Sequence, residues 1–202
     1  MAERKSNYDI MADAARELFC TYDQEPMIRA FGLESNAESL YIDFFGVRHR
    51  IDRASGAITV ADESGEWRSA GFHAAMCIYD VLCYAKRNAA TTGNWRMMQS
   101  LSPHSNFRGD GTHFGRAAAR FSGRVDELCR RLDAIGMRQA GKADAEYVID
   151  AFAFLPMLVR FWEADEDFAA KFDFMMDEAT LDFMHFETAW YIAGHLMEML
   201  GD

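Results

Sequence analysis

Arg116, Arg120 and Arg124 recur at four-residue intervals, which would place three guanidinium groups on one face of a helix, with Arg131 further along. The stretch before them, Gly109-Asp110-Gly111-Thr112-His113-Phe114-Gly115, is rich in glycine. Glycines ahead of a helix let backbone N–H groups approach an anion, and the positive end of the helix dipole favours it there. Guanidinium groups add a planar, bidentate grip on carboxylate or phosphate. The chemistry this suggests is capture of a small anionic ligand by His113, Arg116 and Arg120, with Trp95 as an aromatic wall. The spacing is neither the dinucleotide fingerprint nor the Walker pattern, and no strand precedes it. The plainer alternative is a capped helix with a solvated basic face.

A second cluster is Glu163-Ala164-Asp165-Glu166-Asp167, with four carboxylates in five positions. Clustered oxygens suit a hard cation such as calcium or magnesium. The segment lacks the glycine and the distal bidentate glutamate of a calcium loop, so it reads first as a solvated turn. Glu163, Asp165 and Asp167 are the weak metal candidates, and no metal is expected. None of the six histidines (His49, His73, His104, His113, His185, His195) forms a helical zinc pair. Convergence of His104, Asp110 and His113, or of His185 and Glu187, would be needed for acid–base or metal chemistry. Cys20, Cys77, Cys83 and Cys129 match no zinc or iron–sulfur spacing and read as reduced, buried thiols. No nucleophile elbow and no Cys–His motif is present, so covalent catalysis has no support and no cofactor is called for.

The elements that must position these groups follow from periodicity. Tyr8, Met11, Ala15, Leu18, Phe19 and Tyr22 mark a first helix. Residues 40–52 alternate as strands, and 57–60 completes a three-stranded meander. Helical spacing returns at Phe72, Ala75, Met76, Tyr79, Leu82 and Cys83. Residues 91–111 form a long irregular segment, of the kind that is functional or mobile. The clearest helical pattern runs from Phe114 to Ile135, with Gly123 able to split it and Gly136 placed to cap it. Residues 147–154 and 155–162 are β-prone, and Pro156 points to a bend or an edge strand. Phe172, Phe174 and Met176 alternate as a half-buried strand, and the last helix buries Ala189, Ile192, Ala193, Leu196, Met199 and Leu200. The fold expected is α+β, a mostly antiparallel sheet flanked by helices, with helical N- and C-termini.

A chain of 202 residues, half of them apolar, is long enough to bury its own core, and residues 1–202 read as a single domain. The formal charge of -11 argues against nucleic acid and against an anionic membrane surface. No run approaches a spanning helix, and the basic start has no apolar block behind it, so a cytoplasmic location is expected.

Three stretches, taken in order, carry a resemblance: Gly93-Asn94-Trp95, the segment from Leu155-Pro156 through Trp162-Glu163-Ala164-Asp165-Glu166 to Phe168, and Phe174-Met175-Met176-Asp177 through Glu187. Together they are similar to a prokaryotic family, domain-of-unknown-function family thirty-seven eighty-six, over roughly residues 70–200. The resemblance implies no particular reaction. Some members carry an added iron–sulfur module, and this chain lacks the four-cysteine run that module needs. The expectation is a non-catalytic small-ligand-binding or accessory module that takes a small anion. The alternatives are a metal-dependent enzyme using the acidic turn or histidines, and a protein-interaction module presenting Trp162 and Trp190.

Overall fold

The computed structural model of the chain describes residues 5–62, 64–102, 112–141 and 143–201. Among the described residues the architecture is α+β, with helices near both ends and ten strands in two antiparallel five-stranded sheets. Two compact units divide the chain: Met1–Ala89 with Asp182–Ile192, and Ala90–Leu181 with Ala193–Asp202.

Unit one opens with α1 (Asn7–Thr21), started by a capping box in which Ser6 and Asp9 exchange side-chain-to-backbone hydrogen bonds. Next comes α2 (Gln24–Phe31), capped by Asp23. The sheet is a plain meander of β1 (Glu34–Ser35), β2 (Ser39–Phe44), β3 (Val47–Asp52), β4 (Ile58–Ala61) and β5 (Trp67–Ser69). Its middle three strands are those the alternation predicts. The outer two are two and three exposed residues long, too short to carry an apolar alternation. Helix α3 (Phe72–Tyr84) follows and packs on α1, burying Cys77, Ile78, Val81 and Leu82. The turn after β3 is held against α3 and α1: Tyr79 Oη of α3 donates to the Gly56 carbonyl at 2.7 Å, and Arg16 and Cys20 of α1 lie against Gly56. A Cβ on Gly56 would stand 2.9 Å from Arg16 Cγ, and φ there is +72°. Only glycine fits that position.

The apolar face of α1 departs from expectation. Phe19 is wholly buried, whereas Tyr8, Met11, Leu18 and Tyr22 stay 63, 42, 50 and 42 % exposed. Their helical period is real, but most of that face does not meet the core.

Unit two begins with β6 (Trp95–Met97), a short edge strand inside the stretch that reads as irregular, and a 3-10 turn at Met98–Ser100. Helices α4 (Thr112–Phe121) and α5 (Val125–Ala134) replace the one long helical pattern. Gly123, with φ +72°, sits at the break. The sheet runs β6–β10–β9–β8–β7, with β7 (Arg138–Gln139), β8 (Ala145–Phe152), β9 (Leu155–Trp162) and β10 (Lys171–Asp177). Pro156 does not mark an edge, because β9 lies between β8 and β10. It is the second residue of that strand, beside an irregularity in the β8–β9 register between Asp150 and Phe152. A missing N–H is tolerated at such a bulge. Phe172, Phe174 and Met176 of β10 are buried, and Phe114 and Phe121 of α4 meet Phe174 and Phe172 at ring separations of 4.9 and 6.4 Å. A fully buried side chain of this kind contributes roughly 1.5–3 kcal/mol. Helix α6 (Phe186–Met199) has its first half counted with unit one and its second with unit two.

Candidate functional site

In unit two several polar residues of the three family-like stretches, among them Asn94, Glu163, Asp165 and Asp177, are tied to backbone or to other side chains. Asp177, at the end of β10, is 2 % exposed. Its carboxylate accepts from Thr92 N at 2.9 Å, Gly93 N at 2.7 Å and Ala179 N at 2.9 Å, with Thr92 Oγ1 at 3.4 Å. Burial alone would raise its pKa, but the three backbone donors outweigh that and hold it below the ordinary carboxylate range. Beside it, Glu178 accepts from Asn94 Nδ2 at 2.7 Å and from Arg96 Nη2 at 3.2 Å. The two stretches, 84 residues apart in the chain, thus form one latch that carries the loop before β6 on the end of β10.

The acidic turn is similarly occupied. Glu163 accepts from Ser122 Oγ at 2.6 Å and Gly123 N at 2.8 Å, which anchors the α4–α5 break to the end of β9. The Ser122 hydroxyl and the Gly123 amide hold its pKa down. Asp165 accepts from the N–H groups of Asp167 and Phe168 at 2.8 and 2.7 Å, closing the turn on itself. Asp167 is exposed beside it. Among the described residues, no group of three or more His, Cys, Asp or Glu side chains is placed to hold a metal ion. Trp162 is 39 % exposed and donates to Asp173 at 2.7 Å; Trp190 is half-buried.

The arginine stripe divides by partner. Arg120 donates to the Gly201 carbonyl, and Arg131 to the Leu200 carbonyl at 2.8 Å and to Glu127 at 2.7 Å. Arg124 donates to the Arg120 carbonyl. The carbonyls at a helix C-terminus have no intrahelical donor, and cations there complement the dipole. Arg120 and Arg131 serve the end of α6 in this way. Arg116 is exposed. His113 lies in the first turn of α4, and its side chain is outside the described residues, as are His104 and Asp110.

Trp95 is half-buried and pairs with Asp177 across the β6–β10 ladder. Paired residues share a face, and successive residues alternate. Trp95 therefore lies on the face of Asp177, opposite Phe174, which is the residue α4 covers. The structure does not bring Trp95 to Arg116.

Unit one holds an arrangement that sequence reading missed. Asp80 of α3 accepts from both His185 N at 2.7 Å and His185 Nδ1 at 2.6 Å. The carboxylate is nearly buried and the imidazole is 55 % exposed. The Tyr84 ring lies 3.8 Å from the imidazole centroid. A carboxylate at Nδ1 fixes the tautomer and leaves Nε2 free to accept a proton or bind a ligand. Half of the pair, His185, is visible as a candidate; its partner is 105 residues away, with no local signal to reveal it. The neighbouring thiol is no nucleophile, since burial pushes Cys83 up to about 12. His49 is buried in β3, and loss of solvation lowers its pKa and keeps it neutral. An open cleft of about 470 Å³ lies between Tyr22 and Arg53. Arg53 is already committed to Gln24, Glu25 and the Asn36 carbonyl.

Taken together, these observations define an α+β protein with two antiparallel five-stranded sheets, whose sequence motifs knit the second sheet to its loops. The chain belongs to the family described as Domain of unknown function (DUF3786), whose profile matches residues 23–199. No curated protein and no solved structure matches it. No helix among the described residues is long and apolar enough to cross a membrane.

Proposed function

We propose that this protein is a non-catalytic, small-ligand-binding or accessory module of the cytoplasm, and that its anion contact is Arg116 with His113 at the start of α4. The observation behind this reading is the commitment of the other charged motif residues. Asp177, Glu163, Arg120 and Arg131 are each engaged with backbone groups of unit two. Groups so engaged are poor acids, bases or metal ligands, because leaving would strand the N–H groups or carbonyls they satisfy. Of the three arginines at four-residue spacing, Arg120 and Arg124 donate to backbone carbonyls, and Arg116 is exposed near a helix start that favours anions. Thermal shift against inorganic phosphate, citrate and a nucleoside monophosphate tests it, since a ligand specific to the native state raises the melting temperature by mass action. A rise abolished by Arg116→Ala supports the reading; a rise that Arg116→Ala leaves intact, or none with any anion, ends it.

A second reading, acid–base chemistry at His185, is favoured by the Asp80 contact to Nδ1. It requires a substrate at Nε2, and its test is a hydrolase substrate panel on wild type and His185→Gln. Turnover lost in the variant would establish it, and no turnover by the wild type would remove it.

A further inference from the structure

Helix α1 presents a face that the fold leaves uncovered. At 100° per residue, Tyr8, Met11, Ala15, Leu18 and Tyr22 fall within an arc of about 80°. Their spacing of three, four, three and four is the heptad seam that one helix offers another. Tyr8, Met11, Leu18 and Tyr22 are 42–63 % exposed, whereas a helix serving only its own core would hide them.

Three observations identify what covers this seam. It reads alike from either end: tyrosine, a long aliphatic side chain, alanine, a long aliphatic side chain, tyrosine. A twofold axis at Ala15 would place Tyr8 beside Tyr22 of a second copy and Met11 beside Leu18, with the smallest side chain where the helices cross. Self-complementarity of that kind is what a twofold interface demands. Charge gives the second argument. The chain carries -11, so most of its surface repels another copy. The column flanking the seam on its solvent side, Asn7, Ala14 and Thr21, is uncharged. The ion pairs Lys5–Asp13 and Arg16–Asp13 lie on the other side of the helix. Like charges facing each other would exclude a copy, and this flanking column brings none to the seam. Third, a groove of about 60 Å³ between α1 and α3, lined by Ala15, Leu18, Met76, Tyr79, Asp80 and Cys83, lies along the seam, with its one carboxylate already engaged by His185.

We infer that this chain self-associates through an antiparallel, twofold pairing of α1 with α1 of a second copy, Met11 or Leu18 entering the partner's groove. The strength follows from area. The four exposed side chains offer on the order of 400 Å² per copy, about 800 Å² for the pair before the groove walls are added, which belongs to the weak, reversible class of interfaces. Half-association is therefore expected at on the order of 100 µM, not in the nanomolar range.

Sedimentation velocity from about 5 to about 500 µM reads this directly, with the range chosen to bracket that constant. The expected result is a reversible rise in weight-average mass from 23.0 kDa towards twice that value. Two double variants, Met11→Lys with Leu18→Lys and Met11→Glu with Leu18→Glu, should each stay monomeric with an unchanged circular dichroism spectrum and melting temperature, because both sites are exposed. Their equimolar mixture should associate again, which a merely misfolded variant could not do. In a Cys20→Ser background, Ala15→Cys should trap a disulfide-linked pair and Glu17→Cys should not. The inference is overturned by a wild type monomeric throughout, including one that binds only a different protein. It is equally overturned by a dimer that the charged variants leave unchanged.

Discussion

Replacing Asp177 with asparagine keeps the shape of the latch and changes only its hydrogen-bond logic. The amide retains one oxygen, which can still accept from Ala179 N and share Thr92 N, now bonded at 2.9 and 3.1 Å to Oδ1. The other position becomes an NH2 group facing Gly93 N, which today donates to Oδ2 at 2.7 Å. One hydrogen bond to a charged group is lost, about 1.5–3 kcal/mol, and a donor is left without an acceptor, about 1–3 kcal/mol more. The expected cost is about 3–5 kcal/mol, concentrated in unit two. Amide hydrogen exchange at Thr92 and Gly93 is the most local assay. Opening at least 3 kcal/mol easier would speed exchange there by on the order of 100-fold or more. Urea unfolding gives the global value. The difference also has a pH signature. The folded pKa of Asp177 lies below its unfolded value, so its contribution is complete above the unfolded pKa of about 3.9 and is lost as pH falls through the lowered folded value. Wild type should lead Asp177→Asn by a constant margin from pH 5 to 8, and the margin should shrink below about pH 4. A stability change under about 1 kcal/mol at pH 7, with exchange at Thr92 and Gly93 unaltered, would refute the account of Asp177 as a structural latch, since even one lost hydrogen bond exceeds that.

Two further outcomes follow from unit one. Gly56→Ala should destabilise by about 2–4 kcal/mol, combining the cost of a left-handed alanine with overpacking. The overpacking is against Arg16 Cγ at 2.9 Å and the Arg16 carbonyl at 3.1 Å. A melting temperature within 2 °C of wild type would show that α1 gives way freely. At pH 8, alkylation followed by peptide mass spectrometry should modify Cys20 first, because it is exposed. Cys77, buried, and Cys83, whose thiol burial pushes up to about 12, should remain intact in the native protein. Early modification of Cys83 would show that its surroundings are wetter than described.

How legible the fold is depends on which signal each element leaves. Strands β2, β3 and β10 leave an alternation in the sequence, and β8 and β9 leave β-prone runs. Strands β1, β5 and β7 are two or three exposed residues that exist because a neighbour offers free backbone groups, and no side-chain pattern encodes them. Gly123 is legible as a break because its positive φ is a local requirement. Pro156 misleads because a local rule about missing donors says nothing of a register irregularity set by the opposite strand. The face of α1 misleads for a deeper reason. Period alone shows that a helix has an apolar side, and burial depends on what the rest of the chain brings to it.

The same limit governs the candidate site. Residue type makes the acidic turn and the arginine stripe conspicuous, and type is what a backbone anchor shares with a ligand contact: a carboxylate that fills a set of N–H groups is as acidic in the sequence as one that holds a metal. What separates the two roles is the partner. For Asp177 that partner is 84 residues away at Gly93, for Glu163 it is 40 residues away at Gly123, and for Arg120 it is 81 residues away at Gly201. The pair that would be easiest to defend as chemistry, Asp80 with His185, joins one side chain that no motif marks to another that stands among six histidines. Motifs quoted in order along a chain therefore identify kinship through the residues that hold the architecture together. A ligand would have to be sought at the groups those anchors leave over, chiefly Arg116 and the free edge of His185.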